Sequence, residues 1–225
     1  MKSGIFWHTV NMNKKNDQQI STVLEFLYTF PDMYKSKKRK DIPDPSSENG
    51  KYQIKKIMED AFSKKIIPSA PETIPDPVVS SILEVSYGIK HEKLSDIAKE
   101  HQLSMGAENV VGALLENYIN SESNKYEWCM CAGEVVHGTD FIRKIDNNNT
   151  WELLQVKNRD NSENSSSSTV RELIKQNSGI VIKKWYRTKS RTGKTNWENF
   201  PDENLKKILN EFSFQNYVKE YLSDV

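Results

Sequence analysis

Trp151-Glu152-Leu153-Leu154-Gln155-Val156-Lys157, with Gly138-Thr139-Asp140 a short way ahead of it, is the stretch that decides the fold. It reads as an acid on one β-strand, a polar turn, and a second strand ending in Gln-x-Lys. Side chains alternate between the two faces of a strand. Trp151, Leu153, Gln155 and Lys157 therefore share one face, and Glu152, Leu154 and Val156 share the other. Gln155 and Lys157 point the same way, about 7 Å apart along the strand. The intervening Asp146-Asn147-Asn148-Asn149 suits a hairpin, because Asn and Asp tolerate left-handed backbone angles. A hairpin closed there sets Asp140 opposite the region of Gln155 and Lys157.

Each residue type has a chemical use. Asp140 is a hard oxygen ligand suited to Mg²⁺. The Gln155 amide oxygen and the Val156 carbonyl are further, weaker oxygen donors. Lys157 is a point positive charge that can orient an attacking water. Beside a phosphodiester, such a metal polarises the phosphate and stabilises charge in the transition state. The motif is short, and Asp, Gln and Lys near a hairpin are also ordinary surface residues. Its neighbours therefore matter.

Directly after Lys157 come Asn158, Arg159, Asn161, Asn164 and Ser165, in a polar run that ends in four serines. This is either a solvated loop or a segment that contacts phosphates and base edges. Residues 183–197 hold six Lys or Arg, no acid, and the aromatics Trp185, Tyr186 and Trp197. Lys183, Lys184, Arg187, Lys189, Arg191, Lys194 and Asn196 are the candidate DNA contacts there, since local positive charge is the footprint of a polyanion site. The Thr192-Gly193-Lys194-Thr195 within it is not a phosphate-binding P-loop, because the first glycine is missing and no buried strand leads into it.

Upstream, Val110, Val111, Leu114, Leu115, Tyr118 and Ile119 form one apolar helical stripe. Glu116 borders the stripe, either reaching a nearby site or standing as an exposed helix glutamate. Residues 126–136 are expected to form a strand, and Glu134 is a candidate second acid beside Asp140.

This order of helix, strand and hairpin, with Asp140 and Gln155-Val156-Lys157, resembles the PD-(D/E)XK nuclease superfamily. Gln155 stands where Asp or Glu is usual. The run from Leu153-Leu154-Gln155-Val156-Lys157-Asn158-Arg159-Asp160 through Asn161-Ser162-Glu163-Asn164-Ser165 resembles the SinI-like type II restriction endonucleases. So do Gly133-Glu134, Thr139-Asp140-Phe141, Lys184-Trp185 and Thr195-Asn196-Trp197. The resemblance covers residues 105–200 and does not extend to the first hundred residues. It implies an α/β (mixed α+β) fold with a restriction-endonuclease-like core, a central mixed sheet flanked by helices. It implies Mg²⁺-dependent cleavage of double-stranded DNA by a homodimer at a short palindrome, GGWCC or GGNCC, leaving 5′-phosphates. A cytosine methyltransferase is the implied genetic partner. Asp140, Gln155 and Lys157 take the catalytic positions, with Asp140, Gln155 and Val156 as metal ligands. Glu116 or Glu134 compensates for the acid lost at Gln155. Arg159, Arg187 and Arg191 are candidate guanine readers, with Asn158 and Asn164 as alternatives.

The chain has 225 residues, 36% hydrophobic and 28% charged, with a net charge of +1. That length supports one domain, or a domain with an appendage. No apolar run is long enough to span a membrane, and the N-terminus lacks a signal-type apolar region, so a cytoplasmic location is expected. Cys129 and Cys131 are expected to be reduced and buried.

Seven of the eight prolines fall between Pro31 and Pro77. Residues 1–100 are expected to be a mainly helical, Pro-rich region, and residues 101–225 the nuclease core with DNA-recognition segments and C-terminal helices. Within 1–100 lies the basic run Lys35-Ser36-Lys37-Lys38-Arg39-Lys40, a solvated face or a contact to DNA phosphates. Residues 94–104 faintly resemble the start of a helix-turn-helix, against two packed helices joined by a short turn. Two rival readings follow: a structure-specific repair or recombination nuclease, and a non-enzymatic helix-turn-helix regulator.

Overall fold

The computed structural model describes residues 3–35, 44–72, 76–145, 149–160, 172, 177 and 179–224, with side chains from residue 14 onward except at 124. The elements run α1 (Ser3–Thr29), α2 (Glu48–Ser63), α3 (Pro77–Tyr87), α4 (Leu94–Ser123), β1 (Cys129–Met130), β2 (Phe141–Lys144), β3 (Trp151–Arg159), β4 (Ile180–Thr188) and α5 (Glu211–Ser223). Helices precede a central sheet and a helix follows it, as the sequence pattern predicts.

The sheet is mixed, in the order β1-β2-β3-β4. The first two pairings are antiparallel and β3–β4 is parallel. Ile145 N–H donates to the Thr150 carbonyl at 2.9 Å, closing the β2–β3 hairpin. Asn149 has φ 58°, the left-handed angle expected of that turn. Phe141 faces Leu154 across the pair, so Asp140, one step earlier, comes level with Gln155.

Both faces of the sheet are covered, which explains why β3 is apolar on alternate and intervening positions alike. On one face Trp151, Leu153 and Ile142 pack with Val23, Phe26 and Leu27 of α1 and with Ile54 and Met58 of α2. On the other, Phe141, Leu154 and Val156 pack with Leu114, Leu115, Tyr118 and Ile119 of α4 and with Phe214 of α5. The stripe read from the sequence on α4 is thus a core face. Residues from the first sixty positions build half of the sheet's core.

The second of these cores holds a set of buried charges. Arg143 on β2 binds Glu152 of β3 and Asp202, and Lys183 of β4 binds Glu152. Arg143 also lies 4.5 Å over the Trp128 ring, whose Nε1–H donates to Asp202. Each carboxylate is thereby paired, the condition under which burying a charge is tolerated.

Two expectations change. Residues 94–104 do not begin a helix-turn-helix and are not two helices, because α4 runs unbroken for 30 residues from Leu94 to Ser123. Gly106 and Gly112 lie within this helix without breaking it. The strand expected over 126–136 shrinks to Cys129–Met130. Left-handed angles at Glu127, Gly133 and Glu134 bend the chain out of the sheet on either side. At the C-terminus Glu211–Ser223 is α-helical, after a 3-10 turn at residues 205–207, in keeping with the amphipathic pattern there. Cys129 and Cys131 are free and buried, as expected.

Candidate active site

Asp140 precedes β2 and is half-buried. Its own N–H donates to the Leu154 carbonyl at 3.0 Å, and its carbonyl accepts from Cys131 N–H at 2.8 Å. The backbone is therefore fixed from both neighbouring strands. The side chain is fixed too: Val156 N–H donates to Asp140 Oδ2 at 2.6 Å. This bond joins the acid to the strand that carries Gln155 and Lys157.

Gln155 and Lys157 lie at the end of β3 where its apolar face stops, and both are half-buried. In the parallel pairing, Gln155 faces Lys184 and Lys157 faces Tyr186. Registered partners in a parallel pair share a face, so Lys184 and Tyr186 flank the Gln-x-Lys on its own side.

A cavity of about 450 Å³ opens in front of Asp140 and Gln155. Glu116 from α4 lines it, with Glu134, His137 and Lys35. Sequence reasoning therefore names the three carboxylates that meet here. Lys35 and His137 were not singled out as site residues. Lys35 is 105 positions from Asp140, and only the folded chain relates them. Its one sequence signal is its place at the head of a basic run.

Electrostatics tie these groups together. Burial pushes the Glu116 carboxyl up to about 8, with Asp140 and Glu134 adding repulsion. Burial pushes Asp140 up to about 6; the Val156 N–H opposes this, Glu134 adds to it, and Lys157 and Lys35 oppose it. Three carboxylates facing one another with too little positive charge form a set that a divalent cation would neutralise. Their hard oxygens, with the Gln155 amide and Val156 carbonyl, suit Mg²⁺. Among the described residues, no three His, Cys, Asp or Glu side chains are preassembled at metal-binding geometry. The donor set must therefore include the neutral Gln155 and Val156 oxygens, or move on binding.

Of the candidate DNA contacts, Arg159, Lys184, Lys189, Arg191 and Lys194 are exposed. The last three sit on the turn after β4, closed by Lys189 N–H to the Lys194 carbonyl at 2.9 Å. Other candidates are engaged inside the fold. Arg187 donates to Asn158 Oδ1 at 2.9 Å and to Glu211 at 2.7 Å, and lies over Phe214. Lys183 donates to the Pro201 carbonyl besides pairing with Glu152. Asn196 is buried, with its amide on the Tyr186 carbonyl. Asn161, Asn164 and Ser165 lie outside the described residues.

Comparison with known proteins finds relatives along nearly the whole chain. The type II restriction enzyme Eco47I of Escherichia coli is 41% identical over 213 residues, 94% of this chain and 89% of its own. The type II restriction enzyme SinI of Salmonella infantis is 41% identical over 217 residues, 96% of this chain and 91% of its own. The sequence profile of the SinI restriction endonuclease family matches residues 8–224, including the first hundred positions that the motif-based resemblance left unmatched. The chain belongs to the SinI restriction endonuclease family.

Proposed function

We propose that the chain, a type II restriction endonuclease by family, cuts double-stranded DNA at GGWCC or GGNCC in the presence of Mg²⁺, leaving 5′-phosphate and 3′-hydroxyl ends. The observation that carries this reading is the hydrogen bond from Val156 N–H to Asp140 Oδ2. It holds an acid against the strand that carries Gln155, which lines the same cavity, and Lys157, two residues further on.

Asp140, Gln155 and the Val156 carbonyl would hold the metal, and Glu116 and Glu134 would supply the negative charge that Gln155 lacks. When bound, Mg²⁺ would polarise the scissile phosphate and stabilise the charge of the transition state. Lys157 orients the attacking water and lowers its pKa. Lys184, beside Gln155, and the exposed cations at the ends of β3 and β4 hold the DNA backbone. Arg159 and Arg191 remain the exposed candidates for guanine contacts.

Cleavage of both strands at a palindrome calls for two copies of the site, so we infer a homodimer. Its support is α3, none of whose residues is buried. Val78, Val79, Ile82, Val85 and Tyr87 all face outward there, with Glu84 the helix's one charged side chain. A nearly uncharged apolar helix is unsuited to a polyanion and suited to a second copy of itself. A cytosine methyltransferase that protects the host site is the expected genetic partner, and the cytoplasm the expected location. No helix among the described residues is long and apolar enough to cross a membrane.

Sequencing the ends of digested plasmid DNA tests the proposal. Discrete fragments ending within GGWCC or GGNCC are expected. Smears, or cuts confined to junctions and damaged sites, would instead favour a structure-specific nuclease.

A further inference from the structure

The chain from Met33 to Lys35 leaves the N-terminal helices and lies against the loop that carries Glu134. Tyr34 forms an antiparallel bridge with Val136. Lys35 N–H donates to the Val135 carbonyl at 2.8 Å, and His137 N–H to the Met33 carbonyl at 2.9 Å. This small ladder fixes where the Lys35 side chain starts. Its Nζ reaches Glu134 Oε2 at 2.6 Å.

Glu134 is in an unusual state itself. Its φ is 57°, following Gly133 at 77°. Two consecutive left-handed residues cost energy at the non-glycine, and such angles persist where the surroundings enforce them. Gly133 is enforced by packing: a Cβ there would come within 2.7 Å of Ile57 Cγ2. The turn and the ladder together aim Glu134 at the cavity that Asp140 and Glu116 also line. Lys35 is thus a cation held among carboxylates that otherwise repel one another.

We propose that Lys35 is a positioning residue that stands in for the metal's charge: it holds Glu134 in place while the site is empty, and yields that carboxylate when Mg²⁺ binds. The inference rests on the metal-site reading above. It gives the N-terminal region a part in the active site, through one side chain. It also explains how three carboxylates remain together without a metal. An ammonium that neutralises a carboxylate of the site competes with the metal for that charge, so removing it strengthens metal binding even as it loosens the empty protein. A residue with a merely structural role has the opposite effect, or none, on metal affinity.

Calorimetric titration of the full chain with Mn²⁺, without DNA, tests this. Lys35→Met keeps the aliphatic stem and removes the charge; it is expected to bind Mn²⁺ about tenfold more tightly than the native protein. Lys35→Arg is expected to stay within about twofold. With Glu134→Gln already present, Lys35→Met is expected to give a much smaller gain, because the two residues act as a pair. Unchanged or weaker Mn²⁺ binding by a folded Lys35→Met or Lys35→Gln variant overturns the inference. Asp140→Asn separates it from the site reading. If Asp140→Asn loses Mn²⁺ and Lys35→Met changes nothing, only the present inference fails. If the native protein binds no Mn²⁺, or Asp140→Asn binds it undiminished, both fail.

Discussion

At Asp140, burial and the neighbouring Glu134 favour the protonated form, while the Val156 N–H, Lys157 and Lys35 favour the carboxylate. The balance leaves its carboxyl near 6, and Glu116, with less positive charge to oppose burial, rises to about 8. The sign of the consequence follows from proton linkage. A carboxyl whose pKa is raised by folding keeps a proton that the unfolded chain has lost, so stability falls as pH rises toward the folded value. Thermal melts of the metal-free protein are therefore expected to show stability decreasing from about pH 6.5 to about pH 8, the window set by Glu116. Glu116→Gln is expected to remove most of that slope, and a native profile that is flat or rising over the window contradicts this charge balance. At this scale, the strand positions of Asp140, Gln155 and Lys157 were legible because a strand's two-residue period places side chains by simple counting. Glu116 and Glu134 were legible only as acids near the motif. Lys35 was not, since nothing local links it to residues a hundred positions away.

Among the elements, α4 and α3 differ in instructive ways. Leu114, Leu115, Tyr118 and Ile119 of α4 are buried against the sheet, as their helical spacing predicted. The first half of the same helix is largely exposed, which is why its pattern looked like a separate, shorter helix. Periodicity reports burial, and an unburied stretch of a continuous helix gives little of it. On this reading, the regulator alternative loses its supporting motif. The strand expected over 126–136 was overextended because Trp128, Cys131, Val135 and Val136 are buried without being in the sheet; the left-handed angles that decide the matter sit at Glu127 and Glu134 as well as at a glycine. For α3, apolar residues on a fully exposed helix predict association. Sedimentation is expected to give twice the 26.0 kDa chain mass. Replacing Val78, Ile82 and Val85 with serine is expected to shift the protein toward monomer with its secondary structure intact. A native monomer at micromolar concentration, or a triple variant that stays dimeric, contradicts this role for α3.

Over the whole molecule, the sheet has one core on each face, and they draw on opposite ends of the chain. α1 and α2 cover one face, while α4, α5 and the segment after β4 cover the other. α1 and α2 are therefore part of the sheet's support, consistent with a family match that runs from residue 8 to residue 224. The N-terminal region was the least legible part of the sequence, because its residues contribute packing and one cation but no motif. The site forms where the apolar face of β3 ends and the chain from α1 turns back across the cavity. We propose that DNA is cut at this place, centred on Asp140 and Lys157. Plasmid digestion in Mg²⁺ by the native protein, Asp140→Ala and Lys157→Ala, with DNA binding measured in Ca²⁺, tests it most directly. Discrete fragments from the native protein are expected, with cleavage reduced by about a thousandfold or more in each variant and binding largely retained. Full digestion by either variant would mean that DNA is cut elsewhere on the protein.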